Sequence, residues 1–309
     1  MSDKIKLCCI CGPTASGKTS VGVNVAKFLD SEVISADSMQ IYNEISVSTA
    51  KPNKIEMQGV KHHLIGHVSI FDDYSVARYV EEAKSIINKI HKEGKIPVIV
   101  GGTGLYIDSL LNNIEFLDSN CNIKRRNELK EEAEKFGNIF LFEKLRKIDR
   151  ESVERIHVND INRIIRALEI FEQTGKTMTQ QISESKSKGS PYDVCKIGLY
   201  FEDRSMLYEK INLRVDEMIK NGLVNEAKIY YDIYNNAVTS SQAIGIKELF
   251  PYFNGESSLN ECIDKIKMET RRYAKRQISW FKRDKNTQWF NMSDPFVQKN
   301  LINFVKNYW

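Results

Sequence analysis

The stretch GPTASGKT at residues 12–19 constrains the fold more than any other part of the chain. It matches the pattern G-x-x-x-x-G-K-[ST], and it lies between an apolar run at 4–11 and a helix-like pattern at 18–30. Small residues in such a loop let backbone N–H groups converge on phosphate oxygens at the start of a helix. Lysine then adds a positive charge, and the final hydroxyl can coordinate Mg²⁺. The predicted phosphate-binding residues are Gly12, Pro13, Thr14, Ala15, Ser16, Gly17, Lys18 and Thr19.

Strand-like and helix-like segments alternate in the first part of the chain. Apolar runs at 31–37 and 95–100, with a weaker one at 61–68, are typical of buried strands, and 74–94 has apolar residues at helical intervals. Alternating strands and helices predict a parallel sheet whose ligands bind at the carboxyl ends of the strands. We therefore predict an α/β fold, with a P-loop NTPase-like parallel sheet core flanked by helices.

The pattern changes after residue 115. Residues 116–193 are rich in charge, predominantly helical in pattern and without a convincing strand. The segment 183–193 is polar and turn-rich, which is typical of a hinge or a domain edge. A strand-like run at 194–202 then returns to the sheet. We predict a first core segment at 1–115, a helical insertion domain at 116–193, and a second core segment at 194–309.

Composition excludes several classes of protein. No window approaches the ~20 apolar residues of a membrane helix, and the N-terminal residues lack a signal-peptide pattern. The 6 cysteines have no regular spacing, so neither a disulfide framework nor a zinc module is expected. Those at Cys8, Cys9 and Cys11 fit buried free thiols on a strand. We expect a cytoplasmic protein, and the net charge of +4 does not by itself decide whether it binds a polyanion.

Two features predict an acceptor site beside the phosphate loop. Asp37 ends the second strand, where its carboxylate could take a proton from a substrate or merely cap the following turn. In VGGTGLY, Gly101 and Gly102 would let the backbone approach a ligand, and the Thr103 hydroxyl would point into the cleft. No acid stands in or directly after the preceding strand, which disfavours nucleoside triphosphate chemistry.

Two segments could bind nucleic acid. In 155–170 an apolar stripe is opposed by Asn159, Arg163 and Arg166, a pattern that equally fits a solvated face. The stronger pattern is 269–284, where one helix face would carry cations and the opposite face would pack inward. Its predicted cationic face is Arg272, Arg276, Ser279 and Arg283 with Lys275 and Lys282 at the edge, and its inward face is Tyr273, Gln277, Trp280 and Phe281. For Arg214, the local pattern leaves surface and site open.

Beyond these patterns, the chain resembles the tRNA dimethylallyltransferases, enzymes that prenylate the adenosine just 3′ of the anticodon. The likeness covers nearly the whole chain. It rests on GPTASGKT (12–19), DSMQIY (37–42), TAKP (49–52), HHLI (62–65), VGGTGLY (100–106), IHVND with RALE (156–169), GIKE (245–248) and YAKRQISWF (273–281). Departures from the family pattern are Ser48, Gly66, Arg150 and Ile246.

The resemblance implies specific roles. The loop would hold the diphosphate of dimethylallyl diphosphate, with Thr14, Lys18 and Arg214 neutralising the leaving group and Mg²⁺ near Thr19. Asp37 would hydrogen-bond the attacking amine and take its proton, and Thr103 would position the reacting adenosine. The resemblance also implies that the anticodon stem-loop is bound through Asp37, Ser38, Met39, Gln40, Thr103, Arg126, Asn162, Arg163, Ile164, Ile165, Arg166, Arg272, Lys275 and Arg276. We expect a monomer, although no sequence pattern determines the oligomeric state.

Three alternatives share parts of this pattern. An adenylate isopentenyltransferase has a similar core but prenylates a free nucleotide. A P-loop kinase acting on a small metabolite would also use the loop and an acid at Asp37. A non-enzymatic RNA-binding module with a regulatory nucleotide site is the third. The helical insertion and the basic C-terminal helix favour a tRNA substrate.

Overall fold

The structure is a computed structural model that describes residues 4–116, 122–233 and 243–309. The chain divides into two compact units, one formed by Met1–Leu110 with Tyr192–Trp309 and the other by Leu111–Pro191. The first unit contains the sheet, and the described part of the second is helical.

The first unit is built around a six-stranded sheet. Its strands are β1 (Ile5–Cys11), β2 (Val33–Ala36), β3 (His62–His63), β4 (Val98–Gly101), β5 (Tyr192–Tyr200) and β6 (Gln288–Asn291). They lie in the order β3-β2-β4-β1-β5-β6, and each pairing is parallel. This confirms the predicted α/β sheet. It also places the turns after β2, β4 and β1 side by side at one edge, because neighbouring parallel strands end together.

The first four helices connect these strands. They are α1 (Lys18–Phe28), α2 (Lys54–Met57), α3 (Val76–Lys92) and α4 (Gly104–Leu111). The apolar stripe predicted for 74–94 is buried at Tyr79, Val80, Ala83, Ile87 and Ile90. The helix ends just before Gly94, whose φ of 76° is the left-handed conformation that favours glycine at a helix end.

The helical unit contains α5 (Ile123–Phe136), α6 (Asn138–Ile148), α7 (Arg150–Arg155), α8 (Ile161–Thr174) and α9 (Met178–Ser187). Its core includes Leu129, Leu141, Leu145, Ile164 and Leu168. The segment 183–193, predicted to be a turn-rich hinge or domain edge, begins with residues that complete α9, and the boundary between the two units falls near its end, after Pro191. That helix begins at a capping box of Thr177 and Gln180 that satisfies its first backbone N–H groups.

Five helices follow the return to the sheet within the described residues 204–233 and 243–309. They are α10 (Arg204–Lys220), α11 (Leu223–Ile233), α12 (Phe250–Phe253), α13 (Leu259–Phe281) and α14 (Val297–Lys306), with a short 3-10 helix at Lys247–Leu249. The sequence reading missed β6, a four-residue edge strand with no regular alternation of buried and exposed positions. Such a short strand is decided by its neighbour β5 rather than by its own pattern.

Strand β1 lies at the centre of the sheet between β4 and β5. Its thiols at Cys8, Cys9 and Cys11 are fully buried, and the five described cysteines are all free, while Cys121 lies outside the described residues. Helices α1 and α14 pack on one face of the sheet through Val21, Val25, Val297, Leu301 and Val305. Within the described ranges, no helix combines the length and the apolar character that a bilayer span requires.

Candidate functional site

The phosphate-binding loop joins β1 to α1 and is shaped by close backbone contacts. Gly17 has a φ of 82° and directly precedes the helix, while Ala15 also has a positive φ of 60°. A Cβ atom at Gly12 would lie 2.9 Å from the backbone oxygen of Leu199 in β5, so only glycine fits there. The Ser16 hydroxyl is buried, with no hydrogen-bond partner among the residues that the structure describes. An orphaned donor inside the loop fits an anionic ligand.

Lys18 folds back over its own loop, where its Nζ donates a hydrogen bond to the carbonyl of Pro13 at 2.6 Å. Burial, and next the positive charge of Arg214, lower the pKa of Lys18 to about 8, against the opposing influence of Asp37. Burial likewise lowers the pKa of Arg214 from its usual value. Two cations therefore lie close enough to repel each other beside one carboxylate, an arrangement that an added anion would relieve.

Asp37 directly follows β2, and its Oδ1 accepts hydrogen bonds from the backbone N–H groups of Met39 at 2.9 Å and Gln40 at 3.2 Å. The turn-capping role considered from the sequence is therefore present. Within the described residues, Oδ2 of this carboxylate accepts no hydrogen bond from protein. The same side chain can thus cap its turn and present an oxygen to a substrate.

Thr103 connects the turn after β4 to the turn after β2. Its Oγ1 accepts a hydrogen bond from the backbone N–H of Ser38 at 2.9 Å, and its own N–H donates to the carbonyl of Ala36 at 3.1 Å. The predicted cleft-facing hydroxyl is therefore engaged with the neighbouring turn. It fixes the residue next to Asp37.

The glycines of VGGTGLY make room for protein rather than for a ligand, which corrects the sequence reading. A Cβ at Gly101 would lie 2.2 Å from the backbone oxygen of Ala36. At Gly102 it would lie 2.3 Å from Nε2 of Gln277, and at Gly104 it would lie 2.2 Å from the ring of Trp280. The turn is thus packed between β2 and helix α13.

A loop at 44–51 lies beside Arg214. Gln40 donates through Nε2 to the carbonyls of Thr49 at 3.2 Å and Ala50 at 3.3 Å, and Arg214 donates to the Thr49 carbonyl at 3.4 Å. The Glu226 carboxylate accepts the backbone N–H groups of residues 46–48, each at 2.8 Å. The sequence reading missed Glu226, because no local pattern marks a contact between residues about 180 positions apart.

Helix α13 presents the two faces that the sequence predicted, although it ends at Phe281. Arg272, Lys275 and Arg276 are exposed, whereas Gln277 is 5% exposed and Phe281 1%. Arg283 lies beyond the helix and stacks its guanidinium 4.0 Å from the ring centroid of Trp280. The exposed cations form a surface that suits phosphates.

In the helical unit, the buried carboxylate of Glu169 organises two arginines. Arg126 donates to both of its oxygens, at 2.9 and 2.7 Å, and Arg166 lies 3.6 Å away. Arg163 is exposed and pairs with Asp160 at 3.2 Å, and Asn162 is exposed as well.

One predicted helix position is wrong, and two residues predicted to contact RNA have buried side chains. Ile164 and Ile165 are 0% and 2% exposed and belong to the core of the helical unit, so their side chains are unavailable to a ligand. Asn159 precedes α8, which begins at Ile161, and it therefore does not share a helix face with the arginines.

The metal-binding capacity of the described chain is limited. No group of three or more His, Cys, Asp or Glu side chains among the described residues could hold an ion by itself. Thr19, in the first turn of α1, supplies one hydroxyl beside the loop. This donor set fits Mg²⁺ that reaches the site with a diphosphate and keeps several waters, because Mg²⁺ is commonly held by few protein ligands and substrate oxygens.

Comparison with known proteins agrees with this geometry. A model of the family described as IPP transferase matches residues 40–284. The tRNA dimethylallyltransferase of Caldanaerobacter subterraneus subsp. tengcongensis is 50% identical over 306 residues, covering 98% of this chain and 97% of that protein.

Two solved structures are also similar. The tRNA isopentenylpyrophosphate transferase of Bacillus halodurans is 41% identical, with a TM-score of 0.74 over 99% of this chain and 97% of that one. A eukaryotic dimethylallyltransferase acting on tRNA is 28% identical, with a TM-score of 0.82 over 98% of this chain and 80% of that one. The chain has a phosphate loop beside an acidic turn, a family model matches most of it, and a relative is 50% identical over nearly its full length. The chain therefore belongs to the IPP transferase family.

Proposed function

We propose that this chain transfers the dimethylallyl group from dimethylallyl diphosphate to N6 of the adenosine just 3′ of the anticodon of tRNA and releases diphosphate. The observation that carries the proposal is the juxtaposition of two turns. The phosphate loop follows β1, the Asp37 turn follows β2, and β4 lies between these two strands with Thr103 bonded to Ser38. A leaving group and an attacking amine bound at these turns would be neighbours.

In the proposed reaction, the N6 lone pair attacks C1 of the prenyl group as the C1–O bond breaks. The electron pair of that bond leaves with the diphosphate. Lys18, the loop N–H groups and Arg214 stabilise the charge that develops on it, because fixed donors in a desolvated site need no reorganisation. The N6 proton passes to Oδ2 of Asp37. An aromatic amine is a weak nucleophile until this proton is removed.

Mg²⁺ supplies further charge neutralisation to the diphosphate when it is bound. The Thr19 hydroxyl would hold it, and Lys18 would remain the direct protein cation. This assignment rests on the donor set of the loop, and removal of Mg²⁺ by chelation is expected to slow transfer without abolishing binding of tRNA.

Recognition of tRNA is proposed for the exposed cations of α13 and for Arg126, Asn162, Arg163 and Arg166 in the helical unit. Ser38, Met39 and Gln40 would contact the RNA near the acceptor site. A base within a stacked anticodon loop must be flipped to reach a buried diphosphate, at a cost of a few kcal/mol. Cations on the stem phosphates would offset that cost.

A direct assay separates this function from its rivals. Purified protein is incubated with dimethylallyl diphosphate labelled in the prenyl group and with unmodified tRNA, AMP or ATP plus candidate metabolites. Label in tRNA supports the proposal, label in AMP indicates an adenylate isopentenyltransferase, and turnover of ATP alone indicates a kinase. A tRNA with guanosine in place of the target adenosine is the matched control and should remain unlabelled.

A further inference from the structure

One buried amide joins the phosphate loop to the Gly-rich turn. Gln277 Oε1 accepts a hydrogen bond from the backbone N–H of Thr14 at 2.7 Å, and its Nε2 donates to the carbonyl of Gly102 at 3.0 Å. The residue is 5% exposed and 263 positions away from Thr14. A single side chain therefore spans two turns that follow adjacent strands, β1 and β4.

Both contacts depend on the chemistry of a primary amide. The partner in the loop is an N–H group that needs an acceptor, and the partner in the turn is a carbonyl that needs a donor. The fit is also tight, since a Cβ at Gly102 would lie 2.3 Å from Nε2 of Gln277. The glycine and the glutamine are therefore matched to each other.

The bridge connects the two halves of the proposed reaction centre. Thr14 belongs to the loop that would hold the diphosphate, and Gly102 immediately precedes Thr103, whose Oγ1 binds the N–H of Ser38 next to Asp37. The chain of contacts runs from the leaving-group side to the acceptor side.

The helix that carries Gln277 is itself fixed. Trp280 Nε1 donates to Asp108 of α4 at 2.7 Å, and the buried Lys196 of β5 pairs with Asp284 at 2.7 Å just beyond the helix. Ala274 packs fully buried against Leu207 and Ile211. Because α13 is anchored at both sides of Gln277, the amide is held rigidly against the two turns.

We propose that Gln277 is a positioning residue that sets the phosphate loop at a fixed spacing and orientation relative to the turns that carry Thr103 and Asp37. The proposal rests on the proposed prenyl transfer. It assigns to the inner face of α13 a role in aligning the bond that breaks with the amine that attacks, while the outer face of the same helix carries the exposed cations. Gln277 contacts neither substrate in this scheme.

The test compares Gln277→Met, which keeps the shape and removes both hydrogen bonds, with Gln277→Glu, which keeps only the acceptor for Thr14. Gln288→Met, at an exposed position on β6, is the matched control. Misalignment of reacting groups by about 1 Å lowers rates by about 100-fold. We expect kcat to fall by roughly 10- to 100-fold in Gln277→Met, with both KM values and the affinity for inorganic diphosphate about unchanged, and kcat to fall less in Gln277→Glu. The control should match the wild type.

A second variant disturbs the same amide by changing Gly102, the residue whose carbonyl accepts its hydrogen bond. Gly102→Ala would place a methyl group 2.3 Å from Nε2 and force the amide to shift, so it should lower kcat as Gln277→Met does. Adding Gly102→Ala to Gln277→Met should then cost little more, because the two changes break the same hydrogen bond.

Clear results would overturn the inference. An unchanged kcat per folded molecule in Gln277→Met, with only the melting temperature lowered, would show that the amide is purely structural. The same conclusion would follow if the kcat losses of Gln277→Met and Gly102→Ala were fully additive in the double variant. If Gln277→Met does not fold, Gln277→Glu and Gly102→Ala give the same comparison. A wild-type protein that leaves tRNA unlabelled refutes the proposed function instead, whereas normal wild-type labelling beside unaffected variants refutes only this inference.

Discussion

At the scale of single residues, the charge state of Lys18 affects how strongly the phosphate loop binds an anion. Its pKa of about 8 in the free protein lies well below the usual value of 10.5, so above pH 8 the amine is increasingly neutral. An anionic diphosphate favours the charged form, and binding must then take up a proton. Affinity should therefore fall as pH rises above 8, by up to about tenfold per pH unit.

This pH dependence can be measured by titrating the protein with dimethylallyl diphosphate between pH 7 and 10. Lys18→Arg is the control, because arginine stays charged across that range. The ligand ionises in the same way in both titrations, so the difference between the two pH profiles reports on Lys18 alone. Parallel pH profiles for the two proteins would contradict the assignment of Lys18.

Lys18→Ala should weaken use of the diphosphate far more than it weakens tRNA binding.

Asp37 is expected to act in the chemical step rather than in binding. Asp37→Asn keeps an oxygen to cap the backbone N–H groups of Met39 and Gln40 but removes the base. Single-turnover transfer should slow by about 10²- to 10⁴-fold, with both substrates still bound. A normal single-turnover rate would rule out the role of proton acceptor.

At the scale of elements, helix α13 was the most completely predicted part of the site. Its 3.6-residue periodicity separates exposed Arg272, Lys275 and Arg276 from buried Gln277 and Phe281, as the structure has it. The insertion was harder to interpret. The apolar stripe at 161–171 predicts a buried face that includes Ile164 and Ile165, and both are buried, but only packing showed that Arg126 pairs with Glu169.

If α13 binds RNA phosphates, removing two of its cations should flatten the salt dependence of tRNA affinity. Arg272→Ala with Arg276→Ala should reduce the slope of log K against log salt by about 1 for each phosphate that the variant no longer neutralises. The matched control is Lys299→Ala with Lys306→Ala, two exposed cations on α14. Equal slopes in the two double variants would mean that the α13 cations form an ordinary solvated face.

At the scale of the whole molecule, the chain contains two compact units with separate cores. Leu141 is fully buried in the helical unit, so Leu141→Ala should destabilise that unit by about 2–5 kcal/mol. We expect faster hydrogen exchange in α5, α6 and α8, weaker tRNA binding and an unchanged affinity for inorganic diphosphate. Loss of diphosphate affinity would show that the two units unfold together.

The sequence by itself determined the phosphate loop, the alternation of strands and helices, and the two faces of α13, because these depend on residues that are close together in the chain. Contiguous motifs and periodicities fix local conformation and the apolar faces that must be buried. The tertiary structure alone decided which turns meet. The bond from Thr103 to the residue after Asp37, the support of residues 46–48 by Glu226 and the bridge of Gln277 to Thr14 each join distant segments. Such contacts depend on strand order and helix packing. Strand order and helix packing cannot be predicted from any local sequence pattern.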